Sequence, residues 1–211
     1  MRAERAGAMA LFVGAAIAIA VAALHPTGHA VLHGGEGPIA AGSLSRWVHG
    51  AALAALALSL YGYAELSRAL GDKPLVRLAF VAFALGSIAT LFAGTASGFI
   101  STPLLERAGA EQEGAHRAAL LASAQLTARF NQGFALVEAA FAAAAIALWA
   151  AAWPNGWIMR TLGLVAGLGL LAGLFSGHLT MDLHGFIVRV TALSAFTVGA
   201  GVWLWHRPAA A

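Results

Sequence analysis

Histidine is the residue type through which this chain could do chemistry, and eight are spread along its 211 residues. His25, His29 and His33 recur at intervals of four, which aligns three imidazoles on one face if the segment is helical. Pro26 and Gly28 work against a continuous helix there. A second group, His178-Leu-Thr-Met181-Asp182-Leu-His184, sets two imidazoles, a thioether and a carboxylate close together. His49 stands beside Gly50, Ala51 and Ala52 in an apolar run, where a lone imidazole is either a ligand or the hydrogen-bond partner of a neighbouring helix.

Neutral imidazole ligates copper, zinc, nickel and haem iron. A thioether beside it favours copper, and a carboxylate favours zinc, iron or manganese. The pattern predicts a transition-metal site built from His25, His29, His33, His49, His178, Asp182 and His184, with copper first, then zinc or iron. Glu138 lies two turns into an apolar helix, and an ionisable residue at such a depth is a functional candidate by default. Glu138 and Asp182 are the carboxylates placed to ligate or to move protons in a catalytic version of the site. Glu138 could instead be a structural carboxyl paired with Arg46, Arg129 or Arg189.

A different use of the same residues is haem b, held by two axial imidazoles, His49 with His25 or His178. Arg46, Arg129 or Arg189 would then meet the propionates. A carrier or channel using Glu138 and His49 as a relay is a third reading, and an accessory subunit of a larger membrane complex a fourth. The absence of cysteine removes disulfides, iron–sulfur clusters held by thiolates and covalently attached c-type haem. No HExxH, GxSxG or phosphate-binding glycine loop occurs, and the single lysine, Lys73, lies in a polar connection rather than inside a helix.

These residues need a frame, and composition sets it. With 60% hydrophobic and only 10% charged residues, the chain has too little polar surface to cover a water-soluble globule. Its mean hydropathy is +0.80. Apolar runs predict one all-α domain over 1–211 with about six transmembrane helices, near 8–24, 46–66, 75–97, 133–152, 157–176 and 185–205. Arg2 and Arg5 flank the first run as in a signal peptide. The run is longer than a signal core and no small-x-small site follows closely, so a retained helix is expected. Ser45 is the expected N-cap of the second helix, and Asp72 with Pro74 marks the start of the third. Residues 113–132 are helical by pattern but polar, predicting an interfacial helix before the fourth span or an outward extension of it.

Arginines and Lys73 cluster at one set of connections, which predicts that both termini are cytoplasmic and that seven of the eight histidines face outward. Tyr61, Tyr63, Trp149, Trp153, Trp157, Trp203 and Trp205 are the expected aromatic belt on the inner side, with Glu65 an interfacial charge beside Arg68. The Ala-, Gly- and Arg-rich composition points to the inner membrane of a bacterium. The expected partners are the lipid bilayer and, through the glycine-rich third and fifth helices, a second copy or a larger membrane complex. The net charge of +3 comes from scattered arginines with no basic run, so no nucleic-acid partner is expected.

Overall fold

The structure is a computed structural model and describes residues 3–24, 38–154, 156–180 and 183–207, with the side chains of 38–42 and 183–184 left aside. These residues form α1 (Ala3–Leu24), α2 (Pro38–Leu70), α3 (Pro74–Gly94), a π-helical stretch (Thr95–Ser101), α4 (Thr102–Ala110), α5 (Gly114–Ala152), α6 (Trp157–Phe175) and α7 (Leu183–His206). Six helical segments are long and apolar enough to cross a membrane: Ala3–Leu24, Ser43–Leu70, Pro74–Ala110, Gly114–Ala152, Trp157–Phe175 and Gly185–His206. Side chains such as Leu75, Leu78, Val81, Leu85, Ile88 and Phe92 make an exposed stripe along α3, the surface that lipid would cover.

The helix ends follow local chemistry. α2 stops at Gly71, whose φ of +89° is a left-handed conformation that costs glycine little, and α3 restarts on Pro74, which has no N–H to leave unpaired. Asp72 is not the cap expected of it. Lys73 occupies that position, and Asp72 pairs with Arg77 Nε at 3.2 Å. At the far end of α5, Pro154 holds Trp153 extended, with ψ near 127°. The carbonyls exposed there accept from basic side chains: Lys73 Nζ donates to Ala152 O at 3.2 Å and Arg160 Nη2 to Ala151 O at 3.3 Å. Arg207 likewise donates to Ala69 O at the end of α2. Cations gathered at helix C-termini complement the macrodipole as well as the bare carbonyls.

Two expected boundaries are corrected and one alternative is decided. α2 begins at Pro38, so Ser45 is a buried residue inside the helix rather than its N-cap. The third span does not end near Ser97 but runs through the π-helical stretch into α4. Pro103 cannot donate to a preceding carbonyl, and a widened turn just ahead of it absorbs the change of register. Residues 114–132 extend the fourth span, the second of the two expected readings, and are not a separate interfacial helix. They continue into α5, whose 39 residues extend about 58 Å at the usual rise, well beyond a hydrocarbon layer of about 30 Å.

The bundle closes by sequential packing of α1 on α2, α2 on α3, α3 on α5, α5 on α6 and α7 back on α1. Its core lies towards the end where α2 and α5 finish. Trp149 is completely buried and stacks on Tyr63 with ring centroids 4.5 Å apart. Trp153 packs edge-on to Phe196 and Trp203. Tyr63, Trp149 and Trp153 are therefore core residues, not members of the expected aromatic belt, whereas Tyr61, Trp157 and Trp205 are exposed. The polar edges of the buried rings are satisfied within the bundle. Trp149 Nε1 donates to Ser67 Oγ at 3.0 Å, and Tyr63 donates to Thr197, whose own hydroxyl donates to Leu193 O.

The glycines of α6 serve this packing. A Cβ on Gly163 would fall 2.5 Å from the Ala150 Cβ, and one on Gly167 would fall 2.6 Å from the Ala143 carbonyl oxygen.

Candidate functional site

His49 is held from three directions. Its Nδ1 lies 2.7 Å from the Ser45 carbonyl oxygen one turn earlier. A carbonyl only accepts, so Nδ1 carries the proton and the lone pair of the neutral ring resides on Nε2. Ser45 Oγ stands 3.4 Å from the same nitrogen and 3.0 Å from Thr102 Oγ1, while Thr102 donates to Ser97 O at 3.1 Å. With Thr102 already donating, the Ser45 hydroxyl donates to it, which ties α2 to the first turn of α4.

From the other side, Gly98 presses on the imidazole. A Cβ there would meet His49 Cβ at 2.5 Å and Cγ at 2.6 Å. The π-helical stretch thus brings backbone against the ring, an arrangement that π-turns inside helices recurrently serve at functional positions. Ser97 and Thr102 are not residues the sequence points to, while Ser45 is expected there only as a helix cap and Gly98 only as a packing glycine of the third helix. A glycine within a polar Thr-Ala-Ser-Gly interval near a proline was the one signal available.

Deeper in the bundle, Glu138 on α5 pairs with Arg189 on α7 through Oε2 and Nη1, the third of the partners expected for this carboxyl. Arg189 is buried, and its guanidinium also lies over the Phe186 ring at 5.2 Å. Its Nε has no hydrogen-bond acceptor among the described residues. A buried donor without a partner costs about 1–3 kcal/mol.

The other arginines go elsewhere. Arg46 Nη1 donates to both carboxylate oxygens of Glu106 at 3.1 Å, and Arg129 is exposed without an ion pair among the described residues. Glu65, expected at the interface, is only 4% exposed and pairs with Arg68 at 2.7 Å.

The helix register sorts the candidates by depth. Gly98 packs on His49, and Gly86 packs on the Glu138 turn. Those two glycines are separated by 12 residues, or about 18 Å along the span. His49 and Glu138 therefore occupy different levels. Arg189 lies five residues beyond His184 on α7, so the Glu138–Arg189 pair sits below the turn that carries His178.

His178 itself is exposed, with Nδ1 2.9 Å from Ser176 Oγ, on a turn made by Gly177 at φ +73°. His116 stands 22 residues before Glu138 on α5, about 33 Å along the axis, and lies 3.5 Å from Glu111. His206 is at the opposite end, beside Trp205.

Among the described residues no three histidines or carboxylates converge on a point where a metal ion could sit. His25, His29, His33, Asp182 and the side chain of His184 lie outside the described residues. What the described bundle offers is one oriented imidazole at the mouth and one buried ion pair beneath the neighbouring turn. No model of a known protein family, no curated protein and no solved structure matches the chain.

Proposed function

We propose that this chain is a multi-pass protein of a bacterial inner membrane whose outward end binds a transition metal ion, with His49 as the ligand supplied by the bundle itself. The observation that carries the reading is the 2.7 Å contact from His49 Nδ1 to the Ser45 carbonyl. Metal-ligating histidines characteristically donate their second ring N–H to a carbonyl or carboxylate, which fixes the tautomer and aims the other nitrogen. His25, His29 and His33 lie in the sequence between α1 and α2, His178 and Asp182 in that between α6 and α7, and His184 in the first turn of α7. They are the ligands this reading draws on. Copper is the first choice, since Met181 accompanies the imidazoles, with zinc or iron next. Bound there, the ion would support redox chemistry, metal handling or activation of water, with Asp182 and Glu138 as proton carriers.

Titration of metal-free protein with Cu(I), and separately with Zn(II), tests this. Binding should weaken by at least about tenfold in His49→Ala, the size expected for loss of a ligand or its support, and remain unchanged in His206→Ala. Equal binding by all three proteins would remove His49 from the site.

A second reading, haem b, is favoured by Arg189. A buried guanidinium with an Nε–H lacking an acceptor among the described residues is what a propionate would meet. In that version His49 and His25 or His178 are the axial ligands and the function is electron transfer.

A further inference from the structure

At the end of the bundle remote from His49, an open crevice of about 530 Å³ lies beside the turn that joins α2 to α3. Its lining combines Arg68, Asp72, Arg77 and Ser67 with the apolar Val76, Phe80 and Val81. The two guanidinium groups are about two-thirds exposed. Each already touches one carboxylate, but these differ in kind. Glu65 is buried and held by Arg68, whereas Asp72 is even more exposed than the Arg77 it meets. An exposed pair of that kind contributes little and can be exchanged for a better partner. Val81 is half exposed and continues into the apolar stripe of α3. The crevice thus sets two guanidinium groups against one lining carboxylate, beside apolar side chains continuous with the lipid-facing stripe.

We infer that this crevice binds an anionic phospholipid, its phosphate between Arg68 and Arg77 and an acyl chain along Phe80 and Val81. The charge pattern matches the two ends of such a molecule, and basic residues at the border of a hydrocarbon layer are a recurrent headgroup site. Free phosphate could satisfy the guanidinium groups but leaves the apolar side chains unused. The inference rests on the membrane-spanning reading of the helices and is independent of the metal site.

The test is native mass spectrometry of detergent-purified protein exchanged into phosphatidylglycerol or phosphatidylcholine. One phosphatidylglycerol should be retained in preference to phosphatidylcholine. Arg77→Gln should lower that retention about fivefold, the effect of one basic residue near an anionic surface. Asp72→Asn, which removes the competing carboxylate, should raise it. Equal retention of the two lipids, or phosphatidylglycerol retention unchanged in both variants, overturns the proposal. Displacement of the lipid by millimolar inorganic phosphate overturns it in favour of a phosphate site.

Discussion

The imidazole of His49 gains its definition from neighbours that carry no charge. The Ser45 carbonyl fixes the proton, the Ser45–Thr102 bond fixes the helix pair, and Gly98 brings backbone so close that no larger side chain fits beside the ring. Gly98→Ala would set a methyl inside the van der Waals radius of the ring, and overpacking of this kind costs about 1–3 kcal/mol. The variant is expected to lose both thermal stability and metal affinity, while Gly50→Ala, which meets nothing within 4 Å, should lose neither. A Gly98→Ala protein with unchanged melting temperature and affinity would show that the contact does not constrain the ring.

The Glu138–Arg189 pair makes a separate prediction. Removing one partner of a buried pair typically costs about 3–5 kcal/mol, whereas replacing both with apolar residues can be neutral. Glu138→Gln should therefore destabilise the protein in detergent more than the double variant Glu138→Leu/Arg189→Met. The reverse order would show that the pair is not desolvated.

Helix ends and junctions are where sequence patterns and structure part company. Apolar runs locate all six spans because hydrophobic length is a property of each segment alone. The start of α2 at Pro38, the passage of the third span through Thr95–Ser101 and the fusion of 114–132 with α5 are not properties of that kind. Each depends on what a neighbouring helix covers: Ser45 looks like a cap until Thr102 is seen to face it. The identity of Glu138 as a buried group, with Arg189 among its partners, was readable because a charge at that depth admits few solutions. The burial of Tyr63, Trp149 and Trp153 was not, since an interfacial aromatic and a core aromatic at a helix end have the same spacing.

The junction between α4 and α5 carries a pH dependence of its own. Glu111 accepts from the backbone N–H groups of Gln112 and Glu113 at 2.9 and 3.0 Å. The Glu113 N–H foremost, then that of Gln112 and the nearby His116, hold its carboxyl below the usual glutamate value. A depressed carboxylate value means the turn is supported above the ordinary value and loosens as the pH falls through the lower folded one. Hydrogen exchange at Gln112 and Glu113, corrected for intrinsic rate, should quicken over that interval and become pH-independent in Glu111→Gln. Exchange that is already pH-independent in the unaltered chain would contradict this.

At the scale of the whole molecule, the two ends of the bundle are built for different contacts. One end gathers basic side chains on helix C-termini and holds the crevice beside the α2–α3 turn. The other places an oriented imidazole and, below the neighbouring turn, a buried ion pair. The glycines of α6 that an oligomer could have used are largely spent inside the chain, with Gly163 and Gly167 against α5 and α7, while Gly169 meets nothing within 4 Å. Contact with a second copy or a larger complex is therefore proposed only for the open side of α6. The central claim concerns the histidine-bearing end. Protein purified from membranes without added metal, subjected to elemental analysis together with an absorption spectrum, tests it most directly. The account predicts bound copper, zinc or iron, or a Soret band from haem, diminished when His49 is replaced by Ala. Protein that is folded, free of both metal and haem, and spectrally identical to His49→Ala would contradict it.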